Sequence, residues 1–352
     1  MVMVPHDGDE LHELEARLDP RLLRALDQVA PGTPLREGID SIIQSRSGGL
    51  ILIAEADEVS FLFSGGIKLD IDYTPALLYQ VAKMDGAIVL DPGAKRIRWA
   101  NVQLMPDPTI LSMETGTRHR TAERVSKQTK ALVVSISERR DVVSVYIEGM
   151  KCVLQDIPTV LSKANQGLAT LEKYRARLDQ VSARLTSLEF LGGCTLHDVL
   201  SVLQRAELVT RMAAEVERYI IELGTEGRLI EMQLEETVVG VIGDRAALVR
   251  DYIVVDTEEQ IERTIGELTG LSHQELLDFA VAPRGYRVLA EIPRLPRLVV
   301  QKIVHRFGDL EGILNASQEE LESVEGVGDA RAREIREGLR RLQEVDLVDR
   351  YP

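Results

Sequence analysis

Aromatic side chains are scarce in this chain of 352 residues, at 4%. That scarcity disfavours a base-stacking platform of the kind used in RNA recognition. Cysteine is scarcer still. With Cys152 and Cys194 alone, a disulfide scaffold and a four-cysteine metal site are both excluded. No apolar run approaches the roughly 18–20 residues that span a bilayer. Asp7, Asp9, Glu10, Glu13 and Glu15 precede any apolar stretch, the opposite of a secretory signal. A soluble cytoplasmic chain without a membrane partner is expected. Basic residues are also in deficit, 42 against 57 acidic, for a net charge of −15. Taken as an average, that balance argues against nucleic acid, whose binding is driven by Lys and Arg. It also argues against an anchor on anionic lipid.

What is present is the balance of a globular protein, 44% apolar and 28% charged, at a length that suits two or three domains. Residues 36–150 alternate strand-like and helical runs. Leu50–Ile53, Phe61–Phe63, Ala87–Leu90, Ala131–Ile136 and Val142–Ile147 predict strands, and Thr74–Met84 and Thr121–Lys130 predict helices. The mixture implies an α/β domain with a central mixed sheet. Leu11, Leu14, Leu18, Leu22 and Leu26 give the stretch Glu10–Val29 a helical spacing that would pack on it. From Pro158 the pattern is all-helical. The series Leu161, Ala164, Leu168, Leu171, Tyr174, Leu178, Val181, Leu185 and Leu188 suits one long helix, serving either as a spine or chain-to-chain seam or as a buried helix. Capping boxes at Thr257–Gln260 and Ser272–Glu275 mark two further helix starts. Pro283, Gly285, Pro293 and Pro296 suggest a linker, so the domains read as 1–150, 151–285 and 286–352.

The last segment holds Val324-Glu-Gly-Val-Gly-Asp-Ala-Arg-Ala-Arg-Glu-Ile335, which fits a helix, a tight turn and a helix. Gly326 and Gly328, flanking Val327, let the backbone turn sharply and approach another surface. The N–H groups opening the next helix suit a phosphate, with Arg331 and Arg333 in its first turns. This resembles the helix-hairpin-helix motif. An upstream copy, Ile292-Pro-Arg-Leu-Pro-Arg-Leu-Val-Val-Gln-Lys-Ile303, carries Arg294-Leu295-Pro296 in place of Gly-x-Gly. Contacts through Arg294, Arg297 and Lys302 are expected there. Such contacts position a duplex without reading its sequence.

In the N-terminal segment, Glu114-Thr-Gly-Thr-Arg-His-Arg-Thr-Ala-Glu-Arg124 gathers hydroxyls, unpaired N–H groups and two guanidinium forks where a helix begins at Thr121. A polyanion gains from that arrangement. A neutral His119 between the arginines offers a ring nitrogen to a metal or a phosphate oxygen. Upstream, Lys83-Met-Asp-Gly-Ala-Ile-Val-Leu90 places Asp85 and Gly86 at a helix-to-strand turn. An Asp beside a triphosphate can hold a divalent cation or accept a proton from an attacking hydroxyl.

Asp85-Gly86-Ala87, then Ala100-Asn-Val-Gln-Leu-Met-Pro-Asp-Pro-Thr109, then Thr115-Gly-Thr-Arg-His-Arg-Thr-Ala-Glu-Arg124 together resemble the diadenylate cyclase domain. With the helical middle and the hairpins, the whole chain resembles the DNA-integrity scanning branch of that family, DisA, in the same domain order. The resemblance implies condensation of two ATP into cyclic di-AMP with release of two pyrophosphates, across facing domains of two subunits. It implies that Asp85 engages the 3′-hydroxyl or the metal, that Gly86 lines the pocket and that Leu104 packs on adenine. Thr117, Arg118, His119, Arg120 and Thr121 would hold phosphates, His119 would also neighbour the metal, and Ser137 is a further phosphate candidate. Arg118, His119 and Arg120 count with Asp85 as catalytic. Mg²⁺ or Mn²⁺, a homo-octamer, branched DNA of the Holliday-junction type that suppresses synthesis, and a place on the nucleoid are implied as well.

On residues alone, two rivals stand: a non-enzymatic, structure-specific DNA-binding protein that senses nucleotide, and a nucleotidyltransferase acting on protein or nucleic acid. The charge is less discouraging when divided. Residues 286–352 hold 11 basic and 13 acidic side chains, against 14 and 22 in 151–285, so the deficit lies mainly elsewhere.

Overall fold

The computed structural model of the chain describes residues 19–138, 142–253 and 279–350. They form two compact units, one from residues 19–168 with 214–234, the other from 169–213 with those from 235 on. The capping boxes read at Thr257–Gln260 and Ser272–Glu275, and Leu11, Leu14 and Leu18, lie outside the described residues.

The first unit is built on a mixed sheet. Its strands are β1 (Gly49–Ile53), β2 (Phe63–Ser64), β3 (Ile67–Asp72), β4 (Ala87–Leu90), β5 (Arg96–Leu104), β6 (Leu132–Ile136), β7 (Val143–Ile147) and β8 (Met150–Leu154). The order is β2-β5-β4-β1-β6-β7-β8, with β3 also on β5; β1 and β4 run parallel and every other pair is antiparallel. β1, β4 and β6 are buried along their whole length, which is why their sequences are unbroken apolar runs. Side chains of β1 alternate between two cores. Ile51 and Ile53 face α1 (Pro20–Gln28), α2 (Pro34–Gln44) and α4 (Pro75–Val81), whereas Leu50 and Leu52 join the cluster under α5 (Thr117–Gln128). A short helix, α3 (Ala56–Val59), follows β1. α1, α2 and α4 share one start signal, a capping Asp19, Thr33 or Thr74 followed at once by proline.

Three strands, β3, β5 and β8, were not legible as such. β5 interleaves Arg96, Arg98, Asn101 and Gln103 with its buried Ile97, Ala100, Val102 and Leu104, and its pairing slips beside Asn101, whose φ is +52°. β3 carries alternating exposed charges and a register shift of its own at Asp70. The strand expected at Phe61–Phe63 is instead a 3₁₀ turn, Ser60–Leu62, running into β2. The helix expected from Thr121 starts four residues earlier, at Thr117.

After β8 the chain is helical: α6 (Ile157–Leu191), α7 (Leu196–Leu223), α8 (Arg228–Val238) and α9 (Val241–Tyr252). Along the seam of α6, Ala164, Leu168, Leu171, Leu178 and Leu185 are buried within the single chain, whereas Leu161 is exposed and Tyr174, Val181 and Leu188 are half-buried. Burial at those five positions is what the buried-helix reading requires.

The C-terminal part is a bundle of short helices, α10 (Tyr286–Ala290), α11 (Arg297–Phe307), α12 (Leu310–Asn315) and α13 (Gln318–Glu322), closed by the longer α14 (Asp329–Arg350). Leu289, Ile303, Leu321 and Ile335 are at its centre, each fully buried. It is tied to the helices before it by a buried polar node. Arg287 pairs with Glu189 and donates to Thr186, and Asp251 accepts backbone N–H groups of Gly285 at 2.7 Å and Arg287 at 2.9 Å. Burial and the nearby Glu189 push the Asp251 carboxyl up to about 7.

Candidate functional site

The sheet register collects several of the expected residues at one end. β1 and β4 run parallel with Ile51 opposite Ile88, so the residues entering both strands, Gly48 and Asp85-Gly86, share that end. β6 runs against β1 with Gly49 opposite Ile136, which brings Ser137 there. β5 runs against β4 with Ala87 opposite Val102, which brings Leu104, buried in the α5-side core. Asp85 is exposed at the turn. Gly86 has φ +88°, and a Cβ there would sit 2.9 Å from the backbone of Asn101 and Val102. The close approach expected at Gly86 is thus to β5, which fixes the turn that presents Asp85.

Above this end starts α5. Its cap residue, Gly116, supplies no side chain, so no side-chain acceptor meets the N–H groups of the first turn, and Arg120 N–H bonds back to the Gly116 carbonyl at 2.8 Å. Thr117, Arg118, His119 and Arg120 make up that turn, with Thr121 following. A helix N-terminus in this state carries a partial positive charge and unsatisfied donors, which suits phosphate. The Arg118 guanidinium lies across Gly48: a methyl group there would overlap it and come 3.1 Å from the Ile136 carbonyl. Its head also stands 3.6 Å from Glu138. Arg118 therefore reaches the sheet end that holds Asp85 and Ser137. Arg120 donates from Nε to the Glu114 carbonyl at 3.3 Å.

His119 is held by residues that carried no assignment in the sequence. Its Nδ1 is 3.0 Å from the Tyr146 hydroxyl, and that hydroxyl is 2.9 Å from Glu114, which Lys151 also meets at 2.5 Å. Burial raises the Glu114 carboxyl, but hydrogen bonds from Lys151 and Tyr146 outweigh it and hold the group below its ordinary range. An ionised Glu114 accepts only, so Tyr146 donates to it. The Tyr146 oxygen then accepts from His119 Nδ1–H. This chain of bonds fixes the tautomer and leaves Nε2 as the lone-pair nitrogen. Tyr146 is fully buried within an apolar strand, where a hydroxyl needs a partner, and that was the available signal. The loop before the cradle is pinned to α5 by Glu123, which accepts from Ser112 at 2.5 Å and from Met113 N–H at 3.0 Å.

Among the described residues, no three His, Cys, Asp or Glu side chains gather into a metal-binding group. A magnesium or manganese ion bound with nucleotide phosphates needs one or two protein donors, the rest of its shell being phosphate and water. Asp85, a hard oxygen donor exposed at the sheet end, fits that requirement, with His119 Nε2 as the second candidate.

In the C-terminal bundle the downstream turn is built as expected. Gly326 has φ +92°, Val327 N–H closes the turn on the Val324 carbonyl at 2.9 Å, and Val327 is buried while a Cβ on Gly328 would meet open space. Two of the expected cations are engaged inside the hairpin, Arg331 with the Gly326 carbonyl and Arg333 with Asp329. Lys302, from α11, meets Glu325 at 2.8 Å, so α11 borders the same turn. The upstream turn keeps the left-handed step without glycine: Arg294 has φ +63° and is exposed, as is Arg297.

Sequence comparison matches three families in chain order. Residues 36–151 match the DisA bacterial checkpoint controller nucleotide-binding family, 154–286 the DisA linker region, and 309–338 the helix-hairpin-helix motif. The DNA integrity scanning protein DisA of Carboxydothermus hydrogenoformans is 48% identical over 93% of this chain and 98% of its own. That of Clostridium botulinum is 46% identical over 94% and 98%, and that of Symbiobacterium thermophilum 48% over 91% and 95%. Identity of this level, spread over both chains almost end to end and across all three matched regions, establishes that the chain belongs to the DisA family of diadenylate cyclases.

Proposed function

We propose that the chain condenses two ATP molecules into cyclic di-AMP, releasing two pyrophosphates, across the cyclase domains of two facing copies. The observation that carries this reading is the cradle at the head of α5, whose uncapped N–H groups and Arg118 meet the sheet end bearing Asp85. One chain supplies one such cradle, and the product needs two nucleotides. Leu111 and Met113, on the loop leading into the cradle, are 85% and 92% exposed, an apolar fringe that supports a second copy on this side.

In each half-reaction the 3′-oxygen of one nucleotide attacks the α-phosphorus of the other. The O3′–Pα bond forms, the bond from Pα to the bridging oxygen breaks, and pyrophosphate leaves with that oxygen. The 3′-proton passes to the Asp85 carboxylate. The N–H groups of α5, with Arg118 and Thr117, hold the phosphates in line and offset the charge that grows on them. Such positioning and charge stabilisation supply most of the rate in phosphoryl-type transfers. Arg120 and Thr121 border the same turn, Ser137 its floor, and Leu104 the apolar wall beneath adenine. His119, aimed by Tyr146, would turn its Nε2 lone pair toward the cation that accompanies the phosphates. A divalent cation, Mg²⁺ or Mn²⁺, held by Asp85 would neutralise phosphate charge.

The hairpins would bind branched DNA through its backbone and lower the rate of synthesis, in a homo-octamer that meets head to head at its cyclase domains and sits on the nucleoid. Among the described residues, no helix is long and apolar enough to cross a membrane. In the division into 1–150, 151–285 and 286–352, the first segment would carry synthesis and the last DNA binding, with the helical segment between them in the chain. The test is product formation from ATP with Mg²⁺ or Mn²⁺, with and without a four-way junction, in the parent and in Asp85→Asn. Cyclic di-AMP from the parent, less of it with junction, and none from Asp85→Asn with ATP binding retained are expected. Synthesis that survives Asp85→Asn would overturn the role of Asp85, and a parent that makes no product would leave a nucleotide sensor.

A further inference from the structure

Beside the downstream hairpin lies an open groove of about 900 Å³. Three stretches of chain wall it: the last turn of α9 with Arg250, the segment holding Arg284 and Tyr286, and the exposed side of α11 with Lys302, His305 and Arg306. Ser323, Val324 and Glu325, which lead directly into Gly326, complete the lining and make the groove continuous with the hairpin surface.

Its charge is one-sided. Among the described residues that line it, four permanent cations, Arg250, Arg284, Lys302 and Arg306, face one carboxylate, Glu325, which Lys302 already meets. Among the described residues, Arg250, Arg284 and Arg306 have no carboxylate within ion-pair distance. The Arg284 guanidinium instead stacks over the Tyr286 ring, 5.3 Å from its centre, which holds the fork in place without neutralising it. Among the described residues these cations outnumber the carboxylates beside them, and cations so gathered repel one another and are stabilised by an anion that spans them. A lone phosphate reaches one or two of these groups. An extended phosphodiester chain, with one charge per about 3.4 Å of each strand, meets them in succession.

We propose that this groove holds a second stretch of DNA backbone running on from the hairpin, with Arg250 and Arg284 taking phosphates beside those held by Lys302 and Arg306. Arg250 and Arg284 belong to the stretch matched as the DisA linker region and lie outside the matched hairpin motif, so the DNA footprint extends beyond that motif. The proposal rests on the DNA-binding reading of the hairpins.

The experiment measures binding of a fluorescent four-way junction to the full chain between 50 and about 200 mM salt, in the parent and in Arg250→Gln/Arg284→Gln. Losing two phosphate contacts should lower the slope of log K against log salt by about 1.8 and weaken binding roughly tenfold or more, with cyclase activity in the absence of DNA unchanged. Arg284→Gln alone, for use if the double variant melts early, should lower the slope by about 0.9. Arg250→Lys/Arg284→Lys should restore most of it. A double variant that binds with the parent's affinity and slope overturns the proposal. A parent that binds no DNA overturns the hairpin reading itself, so the two failures are distinguishable.

Discussion

Replacing Tyr146 with Phe tests whether His119 acts through its geometry. The ring is fully buried, and Phe fills the same volume, so no cavity opens. What disappears is one hydroxyl that bridges His119 Nδ1 at 3.0 Å and Glu114 at 2.9 Å. Glu114 keeps Lys151 at 2.5 Å, so its charge is not orphaned and the stability loss stays near the ordinary value for a hydrogen bond, about 1–2 kcal/mol. In a unit of this size that corresponds to roughly 3–6 °C in Tm. The functional loss should be larger. Without an acceptor on Nδ1 the imidazole loses the bond that sets its tautomer, and loss of an orienting partner of this kind typically costs 10–100-fold. The loss should fall on kcat, with KM for ATP moving little, because Arg118 and the α5 N–H groups still bind the ground state. The pH profile gives a second readout. Glu114 is held below its ordinary range, so its stabilising contribution is present above that range and fades as pH falls through the lowered value. Removing one of the bonds that lower it moves acid sensitivity to higher pH. Steady-state kinetics and melting from pH 4 to 8 check both. A Tyr146→Phe enzyme that melts as described yet turns over within twofold of the parent would refute the positioning role.

Gly48→Ala should displace the Arg118 guanidinium, because the added methyl overlaps it and cannot retreat past the Ile136 carbonyl. KM for ATP is expected to rise about tenfold or more, the worth of one charge-assisted bond, with a small change in Tm; unchanged KM would place Arg118 outside the phosphate site. Asp251 sets a pH dependence of opposite sign to that of Glu114. Its carboxyl is raised to about 7 in the folded chain, so its contribution is greatest below about pH 4 and is lost as pH rises to 7. Asp251→Asn should flatten that slope in thermal melts from pH 4 to 8, and an unchanged slope would assign it to another group.

The α/β class, the long helix and the downstream hairpin were legible because each has a local pattern. β1, β4 and β6 are buried on both faces and read as apolar runs, and Gly326 marks its turn by residue type. β3 and β5 were hidden because their charges face solvent and bulges at Asp70 and Asn101 break the alternation. At the head of α5, Arg118 and His119 were singled out by composition, spacing and resemblance, and both lie in its first turn. The side chains that hold His119 were not, since Tyr146 reaches it from β7, 27 positions on, and Lys151, 32 positions on, is set beside Tyr146 by sheet pairing and meets Glu114. The start of α5 was misplaced for a related reason. Gly116 caps by backbone geometry alone, leaving no Ser, Asp or Asn to announce the helix, and the same bareness leaves its first turn without a side-chain cap.

The two hairpins show how one backbone device is reached by two chemistries. At a fixed offset of 32 residues, Leu289, Ile292, Val300 and Ile303 correspond to Leu321, Val324, Ala332 and Ile335, all buried in one core. The left-handed step falls on Arg294 in the first copy and on Gly326 in the second, at φ +63° and +92°. A non-glycine residue in that conformation costs about 1–2 kcal/mol, and the first copy bears it while exposing a guanidinium where the second exposes bare backbone. The copies are thus unequal toward a duplex: the second can approach a phosphate with its N–H groups, and the first must reach with side chains. Arg331 and Arg333 are engaged within their own hairpin, so the cations available to DNA lie chiefly on the first copy and in the groove beside it. A net charge of −15 therefore says little about the partner, because the basic groups that would meet DNA stand together and, among the described residues of the groove, outnumber its carboxylate four to one.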